Sequence, residues 1–127
     1  MKPSVFEMVK EFHKAFGAAI DQSFESNLLD LRCDLMEEEL KEVTLEMFDV
    51  GQKGPDPKAL TKELADLMYV TIGTAITFGL PLEEVFKEVH KSNMSKLTKE
   101  GYVLRREDGK VLKSDQYQEP DLERFFK

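Results

Sequence analysis

The stretch 27–49, NLLDLRCDLMEEELKEVTLEMFD, decides how this chain folds. At roughly 100° per residue, Leu28, Leu31 and Leu35 share one face of a single helix. Past Leu35 the same face continues through Glu38, Glu39, Glu42 and Glu46. A second stripe of Met36, Leu40, Val43 and Met47 lies about a quarter to a third of a turn away, and Glu37 and Lys41 take the outward face. The glutamates therefore extend a core stripe rather than the polar back of the helix. Glutamate is also a good helix former on solvated surfaces, so the run has a purely structural reading until a second cluster is found.

That cluster is on the next predicted helix, 57–78. Glu63 and Asp66, three residues apart, project with Leu67, Val70 and Thr74. Burying one ionised carboxylate costs several kcal/mol unless its charge is compensated. Five or six converging between packed helices require cations. Hard divalent ions with oxygen ligands, Mg²⁺ or Mn²⁺, match such a donor set. Zinc does not, since neither a cysteine nor a histidine pair joins the cluster.

The remaining punctuation completes an all-α reading, with further helices over 1–22 and 81–97. Val5, Met8, Val9, Phe12, Phe16 and Ile20 form an apolar stripe on the first, and Ser4 with Glu7 forms a capping box. Asp56 caps the third helix, Pro57 takes its first position, and Gly79 ends it before Pro81 opens the fourth. SFES, GQKGPDP and GLP separate the four. Beyond 97 the pattern changes. Tyr102–Arg106 and Lys110–Lys113 flank the turn signal Glu107-Asp108-Gly109, compatible with a short hairpin, and Asp121–Phe126 suits one helical turn. The expected organisation is a helical catalytic domain, 1–97, and a tail, 98–127, packed on the same domain or on a dimer partner.

Composition bounds the partners. The chain has 127 residues, the size of one domain, and a net charge of −7. An acidic surface repels phosphate backbones, which argues against nucleic acid. No apolar run approaches the roughly 20 residues that span a bilayer, and the amino terminus lacks a signal-peptide core. One cysteine, Cys33, forms no internal disulfide. A cytoplasmic protein without membrane partners is expected. Residues 87–113 run against the overall charge, with eight Lys or Arg and four Asp or Glu.

Read as motifs, Glu38-Glu39-Leu40-Lys41-Glu42 is E-E-x-x-E, and Glu63-Leu64-Ala65-Asp66, twenty residues on, is E-x-x-D. With Val89–Leu97 (VHKSNMSKL) supplying an N-x-x-K segment, the chain resembles the MazG-like all-α nucleoside triphosphate pyrophosphatase superfamily. FHKAFG at 12–17 has the look of its phosphoribosyl-ATP pyrophosphohydrolase-like branch. The resemblance covers most of the chain and implies a four- to five-helix bundle that pairs as a dimer or tetramer. It implies Mg²⁺ or Mn²⁺ on Glu39, Glu42, Glu63 and Asp66, with Glu38 as an additional glutamate. It also implies cleavage of a nucleotide between the α- and β-phosphates, giving a monophosphate and pyrophosphate.

The physics agrees with that mapping. Divalent ions neutralise charge developing on phosphates and make water nucleophilic near neutral pH. Glu38, outside the ligand set, is the candidate to accept the water's proton. Asn93 and Lys96 lie on the fourth-helix face of Leu82, Val85, Phe86 and Val89. There they bind phosphate or a sugar hydroxyl, or alternatively Asn93 ends the helix and Lys96 snorkels to water. Lys113, and after it Arg105, adds positive charge from the tail. His13 and His90 read as surface or capping residues, Cys33 as a buried small hydrophobe, and Phe12 and Phe16 as core. Three functions stay open: a nucleoside triphosphate pyrophosphohydrolase, a phosphoribosyl-ATP pyrophosphohydrolase, and a non-catalytic helical dimer with a structural cation site.

Overall fold

The computed structural model describes residues 2–48, 51 and 54–126. Among them are four α-helices and no strand: α1 Val5–Phe16, α2 Ser26–Met47, α3 Pro57–Thr77 and α4 Leu82–Met94, followed by a 3-10 turn at Glu123–Phe125. The fold is all-α. Asp49, the last residue of the second expected helix, lies outside the described residues, as do Met1, Val50, Gln52, Lys53 and Lys127. No single helix among the described residues is long and apolar enough to cross a membrane. The chain divides into two compact units, Met1–Leu80 with α1 to α3 and Pro81–Lys127 with α4 and the tail.

In the first unit, local chemistry sets the helix ends. Ser4 Oγ accepts the Glu7 N–H at 3.1 Å and Glu7 Oε1 accepts the Ser4 N–H at 3.3 Å, a reciprocal cap. Asp56 Oδ1 accepts from the Lys58 N–H at 3.2 Å, with Pro57 in the first turn of α3. α1 stops at Phe16, well short of residue 22, because Gly17 adopts a left-handed φ of 72° and its N–H returns to the His13 carbonyl. Ile20 thus leaves the stripe. The connector instead ties to the end of α3, through Asp21 N–H to the Ile76 carbonyl (3.1 Å) and Gln22 N–H to that of Thr77 (2.7 Å).

α3 touches both α2 and α1, and its second half is the most buried part of the unit. Val9, Val43, Ile72, Ala75 and Phe78 form the apolar core. A polar layer crosses it. His13 is 3% exposed, with Nδ1 3.0 Å from the Ala19 carbonyl and its own carbonyl accepting the Gly17 N–H, so of the two expected roles, surface or capping, it takes the capping one, and takes it in the core. Arg32 is 8% exposed and donates to Thr74 Oγ1 at 3.2 Å and to the Val70 carbonyl at 2.9 Å. Burial lowers the Arg32 pKa. Gly73 makes the space: a Cβ there would stand 2.5 Å from Arg32 Nη2 and 3.0 Å from His13 Nε2.

Arg32 therefore faces inward, and Leu31, expected inside, is exposed. The α2 face against α3 runs through Arg32, Glu39 and Val43, a small rotation from the expected stripe. Cys33 also differs from expectation. It is exposed, and its thiol donates to Glu37 Oε1 at 3.5 Å.

The second unit is tied by polar contacts from α4 to the tail. Glu88, 7% exposed, accepts the Asp121 N–H at 2.8 Å and Arg124 Nη2 at 2.9 Å. Ser92 Oγ donates to the Gln118 carbonyl at 2.7 Å. Around Glu107-Asp108-Gly109, Arg106 N–H bonds the Lys110 carbonyl and Leu112 N–H that of Leu104, both at 2.8 Å, with one antiparallel bridge between Arg105 and Val111.

Candidate metal centre

α2 and α3 run antiparallel along their contact. Arg32 meets Val70 and Thr74. Two turns further along α2, Glu39 reaches Glu63 and Asp66, which lie two turns back along α3 from Val70 and Thr74. One carboxylate oxygen from each of Glu39, Glu63 and Asp66 falls within 4.8 Å of the others, and all three residues are half-buried. Placement follows from the core. Arg32 and Val43, both buried, fix the rotation of α2, and Glu39 lies on their row.

The other expected residues are spread differently. Glu42 is exposed and stands outside the three-residue group. Glu38 is exposed and Glu46 half-buried. In the second unit, Asn93 is exposed near the end of α4 and its carbonyl accepts the Lys96 N–H at 3.2 Å. Lys96 is half-buried, and its carbonyl accepts the Ser114 N–H at 3.2 Å, which draws the Lys113 segment to the end of α4. Lys113 Nζ lies 4.6 Å from the centre of the Tyr117 ring. Arg105 Nη1 donates to the Gly109 carbonyl at 2.8 Å.

Charge in the cluster is out of balance. Desolvation raises the Glu39 pKa, and Asp66, Glu63 and Glu38 raise it further, with Lys62 opposing them. Lys62 was not singled out in the sequence. Its Nζ lies 2.6 Å from Asp66 Oδ2 and 3.6 Å from Glu63 Oε1, and the bond to Asp66 raises the Lys62 pKa. The i,i+4 spacing in Lys62-Glu63-x-x-Asp66 was its legible signal. Buried Arg32 and His13 gave no such signal, because their partners are backbone carbonyls and a hydroxyl on other segments.

Three carboxylates from two helices, with an ammonium already drawn to them, make an all-oxygen donor set. Such a set fits a hard divalent cation and offers zinc none of its preferred ligands.

A comparison with curated proteins finds no match. The family model described as phosphoribosyl-ATP pyrophosphohydrolase matches residues 9–93, more than half of the chain. That span contains α2, α3 and all three converging carboxylates. The chain belongs to the phosphoribosyl-ATP pyrophosphohydrolase family of nucleotide hydrolases, within the MazG-like all-α nucleoside triphosphate pyrophosphatase superfamily.

Proposed function

We propose that the protein is a cytoplasmic, Mg²⁺- or Mn²⁺-dependent nucleoside triphosphate pyrophosphohydrolase that cleaves between the α- and β-phosphates. The observation that carries this reading is the convergence of Glu39, Glu63 and Asp66 within 4.8 Å on two packed helices. These three hold the cation, and Glu42 is the proposed fourth ligand. When bound, the cation offsets phosphate charge and polarises the phosphoryl oxygens. Glu38, exposed beside Glu39, accepts the proton of the attacking water. Asn93, Lys96 and Lys113 are the proposed phosphate-binding groups of the second unit. A compact ammonium suits a terminal phosphate, and Lys113 keeps its head in solvent over Tyr117.

The proposed assembly is a homodimer or, by pairing of two dimers, a tetramer. Among the described residues, the first unit buries few apolar side chains and leaves Leu29, Leu40, Met47, Leu64, Met68 and Phe16 exposed. Phe12 stacks on Phe16 at 4.5 Å and meets the Tyr69 ring edge-on at 5.6 Å, yet all three rings stay accessible. Apolar surface of this extent favours a symmetric partner.

The family description favours a second substrate, phosphoribosyl-ATP. A panel of canonical, deoxy and damaged nucleoside triphosphates together with phosphoribosyl-ATP, assayed for pyrophosphate release with Mg²⁺, Mn²⁺ or excess chelator, separates the readings. The expected result is metal-dependent release from one or more nucleoside triphosphates at higher kcat/KM than from phosphoribosyl-ATP. The reverse order assigns the second substrate. No release from any nucleotide leaves the non-catalytic dimer.

A further inference from the structure

Lys62 holds a position in the carboxylate cluster to which the cleavage reaction gives no task. Its Nζ is 2.6 Å from Asp66 Oδ2 and 3.6 Å from Glu63 Oε1. A lysine placed four residues before an aspartate is the less favourable helical order for such a pair. The contact is therefore explained by the combined charge of three converging carboxylates better than by helix propensity. Burial is graded across the group: the Lys62 side chain is 68% exposed, that of Asp66 36% and that of Glu63 17%. Lys62, the most exposed of the three, can thus leave the cluster with little change in buried surface.

We propose that Lys62 is a resident counter-ion that neutralises Asp66 and Glu63 in the cation-free protein and releases them when a divalent cation binds. This rests on the carboxylate reading above and adds a control to it. An ammonium and a divalent ion on the same oxygens repel each other, so cation uptake includes the cost of displacing Lys62. Lys62 then weakens cation affinity while protecting the empty site from its own repulsion. A lysine that only oriented Asp66 would do the opposite, and its loss would weaken cation binding.

The test is calorimetric titration with Mn²⁺ alone, without nucleotide, on wild type, Lys62→Gln and Lys62→Arg, with melting curves in excess chelator. The expected result is Mn²⁺ binding about two- to fivefold tighter in Lys62→Gln, the scale of one exposed ion pair. Its chelated form melts lower than wild type, and Lys62→Arg restores both readings toward wild type. A wild type that binds Mn²⁺ alongside a Lys62→Gln variant that binds it equally or less tightly overturns the inference alone. So does a chelated Lys62→Gln that melts no lower. A wild type that takes up no Mn²⁺ overturns the carboxylate reading and this inference with it.

Discussion

Glu39 on α2 and Glu88 on α4 are both helical glutamates turned away from open solvent, and their surroundings push them in opposite directions. Glu88 is saturated. The Asp121 N–H first, then Arg124, hold its carboxyl below the ordinary range against the opposing effect of burial. Among the described residues, Glu39 has no equivalent donor. Desolvation and then the charges of Asp66 and Glu63 push it up, and only Lys62 opposes them. A carboxylate with its own donors is structural cement. Glu39 sits in an excess of negative charge that Lys62 partly offsets, and Glu88 among its own donors.

The largest expected effect tests that division on activity. Glu63→Gln, Asp66→Asn and Glu39→Gln should each lower turnover by at least about a hundredfold, beyond the 10–100-fold typical of losing an outer-shell metal partner. Their metal-free forms should melt at or above wild type, since each removes a repelling charge. Glu88→Gln should behave in reverse, with a lower melting temperature and much of the turnover kept. Steady-state kinetics and melting curves on the same preparations check both, and a Glu63→Gln that loses stability as Glu88→Gln does would erase the distinction.

Acid sharpens the same comparison in metal-free protein. Glu88 has a depressed folded-state pKa, so its stabilisation is present above the ordinary glutamate range and is lost as pH falls through the depressed value. Glu39 has a raised one, so its destabilisation is present at neutral pH and is relieved as pH falls through that raised value. The gap between wild type and Glu88→Gln should close only in strong acid. The gap between wild type and Glu39→Gln should close at milder acidity. Melting temperatures from neutral to acid pH, in chelator, read both gaps.

A smaller effect is expected from Lys113→Ala. Lys113 is exposed over Tyr117, so its loss should raise KM a few-fold with little change in kcat, and more at low salt, where screening is weakest. Smallest of all are Glu37→Gln and Lys41→Gln, on exposed positions of α2 outside the cluster, which should leave kcat/KM near wild type. An effect there equal to that of Asp66→Asn would place the wrong face of α2 against α3.

That face shows where the sequence was legible. The four helices were readable because caps and breakers are local: Ser4 with Glu7, Asp56-Pro57 and Gly79-Leu80-Pro81 act within a few residues of themselves. Gly17 is local too, but Ile20 continued the apolar stripe and hid the stop. The phase of α2 was harder. Polarity puts Leu31 in and Arg32 out, and the fold reverses them because Val70, Thr74 and the space over Gly73 accept a guanidinium. Those partners lie about forty residues away, where no periodicity records them. The same small rotation brings Glu39 to Glu63 and Asp66 while Glu42 stays exposed, so motif spacing named the neighbourhood and long-range packing set which three of its carboxylates converge.

Identification of products by phosphorus NMR shows which phosphoanhydride bond is cut and whether the cut needs a cation, using wild-type protein and its best nucleoside triphosphate with Mg²⁺ or with excess chelator. Nucleoside monophosphate and pyrophosphate are expected in equal amounts with Mg²⁺, and intact substrate in chelator. Full hydrolysis in chelator, or release of orthophosphate with a nucleoside diphosphate, would contradict the proposed function.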